Sequence, residues 1–285
     1  MIYRRRASPL HAARAAAGSG WCVALAAAAL LVDHPLLLAV LLACVLAAAA
    51  AARVAGPVAR AAAWGLPFAL VIALVNPLVT RDGATVIARL GELPALGRLD
   101  VTLEATAYGG VLGLRALVLI TVFALHSAAV DPDELLRAFR RVSFRSALTA
   151  ALATRMVPVL ARDARRMAEA QRALAAVRPP ASKLAIARAV AAGAMDRAVD
   201  VAATLELRGY GSARRPPRLR RPWSRHDAAF LASGAAAVAL ALLVPAPFEA
   251  YPRLAASLDA GVLAAAAALA FVVLCPFADR RGIGP

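Results

Sequence analysis

The sequence predicts an all-α, polytopic membrane protein of about six transmembrane helices with one long helical insert. Three observations predict it. The chain of 285 residues is 62% hydrophobic with a mean hydropathy of +0.69, whereas soluble domains run at roughly half apolar. The apolar residues gather into runs long enough to cross a hydrocarbon core. The basic residues between those runs alternate in density, as they do when loops lie on opposite sides of a membrane.

The runs are legible in order. Residues 19–32 form the first, and Asp33-His34-Pro35 breaks it. Residues 36–52 follow, ending in alanines, then 62–79 with Trp64, Phe68 and Asn76-Pro77. The fourth run is 107–129, with Arg115 and His126 inside it; the fifth is 228–245 and the sixth 256–275. The basic segment 1–20 lacks a small-residue cleavage site, so the first run reads as a retained span.

Arg4, Arg5, Arg6 and Arg14 assign the N-terminus to the cytoplasm, and Arg53 and Arg60 return there after two spans. The 80–106 loop holds three arginines against four acids and suits the outside. Residues 131–226 carry 19 arginines and one lysine against eight acids, a net +12, and form a cytoplasmic insert. Arg280 and Arg281 bring the tail back inside. Most of the chain's charge of +16 therefore belongs to one insert. The chain divides into a four-span bundle (1–130), the insert (131–226) and a two-span hairpin (227–285).

Within the insert, Asp131 caps a short amphipathic helix that opens on Pro132, with Asp133 and Glu134 facing the positive end of its dipole. A second helix is expected from about Ser146 to Val177, with Leu160, Met167 and Leu174 at heptad spacing, Ala164, Ala170 and Val177 beside them, and a kink at Pro158. A third spans about 181–208, with Leu184, Ala187, Ala191, Ala194, Ala198, Val201 and Leu205 as its apolar stripe and Gly209 as a left-handed cap. Alanines on both stripes let two backbones approach and cross. From pattern alone an ordinary hairpin packed on the membrane domain fits equally well. The run Arg214-Arg215-Pro216-Pro217-Arg218-Leu219-Arg220-Arg221-Pro222-Trp223 reads as an anchor to anionic lipid headgroups. Nucleic-acid binding is not expected, because no stacking aromatics accompany the charge.

Several chemistries are excluded. A phosphate-binding loop needs a lysine after its glycines, and the sole lysine, Lys183, follows Pro180-Ala181-Ser182. ATP hydrolysis by this chain is not expected. His11, His34, His126 and His226 lack zinc spacing, and Cys22, Cys44 and Cys275 make neither a disulfide framework nor a metal site. No catalytic or metal-ligating residue is assigned. Arg115 is an expensive charge within a span; it faces the bundle, pairs or snorkels.

Together these segments resemble the transmembrane T component of energy-coupling factor transporters, the vitamin and cobalt/nickel importers of prokaryotes. The residues carrying the resemblance are Ser8-Pro9-Leu10-His11, Asn76-Pro77-Leu78, Gly83-Ala84-Thr85-Val86, Thr102-Leu103-Glu104, Tyr108-Gly109 and Arg115. They continue with Asp131-Pro132, Leu135-Leu136, Thr154-Arg155-Met156-Val157-Pro158, Met167-Ala168-Glu169-Ala170-Gln171-Arg172, Arg197-Ala198 and Leu205-Glu206-Leu207-Arg208-Gly209-Tyr210. The family's Asp-Pro-Arg after the first motif is absent. The resemblance implies crossed cytoplasmic coupling helices, each ending in an x-Arg-x motif docked on one of two ABC-type ATPase subunits. It also implies a separate membrane substrate-binding subunit, with ATP bound by the partners and no cofactor in this chain. The second motif maps onto Leu207-Arg208-Gly209, preceded by Glu206. Where the first belongs, the chain reads Ala173-Leu174-Ala175; Arg172 or Arg178 substitutes, or the contact at Leu174 is apolar. Arg155, Pro158, Gln171, Arg115, Asn76 and Pro77 are implied to be structural or coupling residues. A free-standing permease, with Arg115 and Asn76 lining a path, is the alternative.

Overall fold

The computed structural model describes residues 6–79, 85–93, 97–139, 144–174, 182–209, 223–244, 248–249, 254–256 and 259–279. They divide into two compact units, Met1–Leu135 with Trp223–Pro285, and Leu136–Pro222.

The first unit holds a helix at each of the six expected apolar runs. A one-turn helix α1 (Pro9–Ala12) precedes α2 (Ala15–Leu31), α3 (Pro35–Ala51), α4 (Ala55–Val79) and α5 (Leu103–Ala129). After the insert, α9 (Arg225–Leu243) and α10 (Ala260–Leu274) complete it, with a 3-10 turn at Cys275–Phe277. Among the described residues, four segments are long and apolar enough to cross a membrane, namely α4, α5, α9 and α10 with its 3-10 turn. The helices α2 and α3 have 17 residues each, about 26 Å at 1.5 Å per residue. The expected break between them is built from His34, whose ring nitrogen accepts the Leu36 amide at 3.2 Å, and Pro35 in the first turn.

Helix α2 packs on α5 and α9, α3 on α5 and α10, and α9 on α10, while α4 lies mainly along α5. Helix α4 is covered only on that side; Trp64 is 83% exposed and Phe68, Leu70, Val71 and Leu74 are also exposed, an apolar surface suited to lipid. The α4–α5 seam is made by small residues. A Cβ on Gly109 would stand 2.6 Å from the Ala73 carbonyl oxygen, and Gly65 faces Ile120. Where the chain leaves α3, Arg53 has a left-handed φ of 59°. Its N–H donates to Ala50 O and that of Val54 to Ala49 O, so a Schellman cap forms without glycine. The Arg53 carbonyl accepts the Arg6 guanidinium.

At the proximal end of this unit, where α1 lies, Trp21, Phe230 and Phe277 meet edge to face with centroids 5.3–5.7 Å apart. The Trp21 indole donates to Ser233 Oγ (3.1 Å), which donates to Val272 O (2.8 Å), tying α2, α9 and α10 together. Buried Asp227 closes a capping box with Ser224 and accepts the Arg14 amide at 2.6 Å; the Arg14 guanidinium lies 3.3 Å from its carboxylate and over the Trp223 ring.

The 80–106 segment, read as a loop, holds an antiparallel hairpin of β1 (Val86–Leu93) and β2 (Gly97–Thr102). A second short pair, β3 (Phe248–Glu249) and β4 (Ala255–Ala256), lies between α9 and α10. At this distal end the two Glu104 oxygens accept the Thr85 amide, and Thr102 caps α5 through the Ala105 amide. A cavity of about 290 Å³ is lined by Leu31, Val32, Asp33, Ala241, Glu249 and Leu269 among others.

The second unit contains α7 (Phe144–Leu174) and α8 (Lys183–Leu207). The short helix α6 (Pro132–Phe139), whose last four residues belong to this unit, begins as expected, with the Asp131 carboxylate accepting the Asp133 amide at 2.9 Å. Pro158 lies inside α7 without ending it. Ser182 caps α8 through the Ala185 amide.

One expectation is corrected. The α8 stripe was placed on Leu184, Ala187, Ala191, Ala194, Ala198, Val201 and Leu205. Ala194, Val201 and Leu205 are half-buried as expected, together with Ile186, Val190, Gly193 and Arg197, while Leu184, Ala187, Ala191 and Ala198 are exposed. Alanine is nearly isotropic around α8, so periodicity alone cannot select the packed face. On α7, Leu160, Ala164 and Met167 are half-buried as expected, Ala170 is exposed, and Val177 lies outside the described residues.

Candidate functional site

The candidate site in the second unit is built from α7 and α8. Helix α8 ends at Leu207 with Arg208 as its C-cap. The Arg208 amide donates to Thr204 O, and Gly209 donates to Glu206 O at 2.8 Å with φ 76°. The chain thus turns out of the helix through a left-handed glycine. Leu207 is 89% exposed, and Glu206, Arg208 and Gly209 are exposed beside it. Among the described residues the Arg208 guanidinium makes no hydrogen bond or ion pair. An apolar side chain and an unengaged cation are presented together, where the helix dipole also favours positive charge.

Arg172 is exposed in the last turn of α7, Leu174 is that helix's final residue, and Arg178 lies outside the described residues. Gln171 is half-buried, whereas Arg155 and Pro158 are exposed on α7; the Pro158 carbonyl accepts Arg162 Nε at 3.3 Å. The two helices contact one another. At their contact Arg197 Nη2 of α8 donates to Asp163 Oδ2 of α7 at 3.1 Å. The apolar stripe alone does not reveal this pair, although an acid beside Leu160 and Ala164 marks Asp163 as a residue near the packed face.

In the first unit, Arg115 is paired within the bundle. Its Nε donates to Ala29 O (3.1 Å) and its Nη2 to Val32 O (2.9 Å) and Asp33 Oδ1 (2.5 Å). The guanidinium therefore caps the C-terminus of α2 and pairs with the residue that leaves it. Asn76 Nδ2 donates to Ala105 O at 3.1 Å, pinning α4 to the first turn of α5, and Pro77 is buried within α4. Asn76 and Arg115 are each engaged by backbone. His126 accepts or donates to Ser19 Oγ at 3.0 Å, a link between α2 and α5.

Among the described residues no group of three or more His, Cys, Asp or Glu side chains could hold a metal ion. A family model described as CbiQ, cobalt transport protein, matches residues 6–218. The chain belongs to the CbiQ family. This is the family of T components that the sequence resembles, and membership makes the chain a cobalt-transport-type membrane protein. The matched stretch takes in α1 to α8, and so both helices of the second unit; α9 and α10 lie beyond it. A search of curated proteins finds no match to the chain.

Proposed function

We propose that this CbiQ-family chain is the energy-coupling membrane subunit of an ATP-driven importer. In this reading the proximal end and the second unit face the cytoplasm, and α7 and α8 are levers. Two ABC-type ATPase subunits bind and hydrolyse ATP, and a separate membrane subunit binds the cargo, for which the family supports a cobalt ion over a vitamin. This chain is non-catalytic.

The observation that carries the reading is the exposed end of α8. A guanidinium at a helix C-terminus can fork onto a carboxylate with two parallel hydrogen bonds, and Leu207 beside it supplies apolar contact. Gly209, left-handed at φ 76°, ends the helix beside them. ATP-driven closure of the partners then moves the tips, and the helices carry that motion toward the cargo-binding subunit.

Changing Arg208 to Glu should abolish co-purification of the ATPase subunits while the chain still inserts into the membrane. Intact co-purification overturns the assignment. Arg172→Glu and Arg178→Glu, made separately, identify the arginine that serves the second ATPase contact. Cobalt flux through the chain alone in liposomes would instead favour a free-standing permease.

A further inference from the structure

The ion pair between Asp163 and Arg197 sits at the contact of α7 and α8, three turns from the end of each helix. Eleven residues separate Asp163 from Leu174 and eleven separate Arg197 from Arg208, about 16 Å in either case. We propose that this pair is a positioning device that selects the crossing register of the two helices and so sets the spacing of their tips. The proposal rests on the coupling reading given above.

Helix α8 carries two competing apolar faces. One holds Ile186, Val190, Val201 and Leu205 and is half-buried; the other holds Leu184, Met195 and Val199 and is exposed. Alanines lie on both. Apolar burial therefore discriminates weakly between packing α8 on one face or on the other. Arg197 lies on the packed face, and its partner lies on the face of α7 that carries Leu160, Ala164 and Met167. Rotating α8 to bury Met195 and Val199 would pull the guanidinium off Asp163.

The pair is poorly made for stability. Its side chains are 38% and 26% exposed, so screening leaves it little net strength. Arg197 Nη1 is buried without a hydrogen-bond partner among the described residues, an arrangement that costs free energy. A polar contact that stabilises little yet favours the alignment that makes it is a register device, as single polar residues are in coiled coils.

The test uses the full chain with the ATPase and cargo-binding subunits that co-purify with it. Asp163→Arg and Arg197→Asp alone should lower Co²⁺ uptake per ATP hydrolysed by at least about tenfold, with the ATPase subunits still bound. The double swap should return the ratio to within about twofold of the original. Spin labels on Ala173→Cys and Ala203→Cys, in a chain lacking Cys275, give a readout independent of transport. One narrow distance should broaden in either single variant and narrow again in the swap. An unchanged distance distribution in the single variants, or a swap that restores neither readout, overturns the proposal. If the original chain retains no ATPase subunit, the coupling reading fails, and the spin-label distances still decide whether the pair sets the register.

Discussion

Gly113 of α5 and Ala69 of α4 lie so close that a Cβ on the glycine would stand 2.5 Å from the alanine's carbonyl oxygen. With Gly109 against Ala73, this makes a small-residue seam on which two membrane helices meet backbone to backbone. Gly113→Val should force the helices apart and cost about 1–3 kcal/mol. Gly110, one turn away, has nothing within 4 Å of its added Cβ, so Gly110→Ala should be neutral or stabilise by up to about 1 kcal/mol. Thermal unfolding of both variants in one detergent checks the contrast.

Arg115 is 15% exposed whereas its partner Asp33 is 66% exposed. Removing the arginine strands the carbonyls of Ala29 and Val32 as well as the acid, and Arg115→Leu should cost about 1–3 kcal/mol. Asp33→Asn removes only a screened charge and should cost less than about 1 kcal/mol. Equal losses in chemical unfolding would contradict the view that the helix cap, more than the ion pair, is what Arg115 contributes.

Asp227 is buried and joins α9 to the segment before α2 through the amides of Ser224 and Arg14. Asp227→Ala leaves those donors and the Arg14 cation without their acceptor, and about 3 kcal/mol of stability should be lost. Asp227→Asn, which keeps one acceptor oxygen, should lose less. Limited proteolysis of the N-terminal segment reads the same change locally.

At Arg53 the chain turns through a left-handed conformation that costs a residue with a Cβ roughly 1–2 kcal/mol. Arg53→Gly removes that strain while leaving the backbone carbonyl that Arg6 contacts. A net gain of up to about 1 kcal/mol is expected once glycine's extra unfolded-state freedom is counted. A lower unfolding temperature for Arg53→Gly would show that the arginine side chain contributes more than its backbone costs.

The spans were legible because hydropathy is a property of each segment alone. Breakers such as Asp33-His34-Pro35 and the cap at Gly209 were legible for the same reason. The hairpin β1–β2 was passed over, although Arg98 to Leu103 alternates polar and apolar residues; its short strands lie in a stretch otherwise read by charge. The packed face of α8 was misassigned because alanine carries almost no directional signal. Partners were harder still. Arg115 meets Asp33 across 82 positions and Arg14 meets Asp227 across 213, and a single sequence offers no way to pair residues that far apart. The Asp163–Arg197 contact is of this kind.

Helices α2 and α3 are each shorter than the hydrocarbon thickness of about 30 Å, and the turn between them meets α5 at Arg115, twelve residues below the start of that helix. Asp33 is exposed at this sunken turn, beside the 290 Å³ cavity. An exposed carboxylate is costly among acyl chains. Beside the longer α4 and α5, the short pair of α2 and α3 gives the bundle two hydrophobic lengths, a mismatch of the kind that a bilayer accommodates by thinning or tilt.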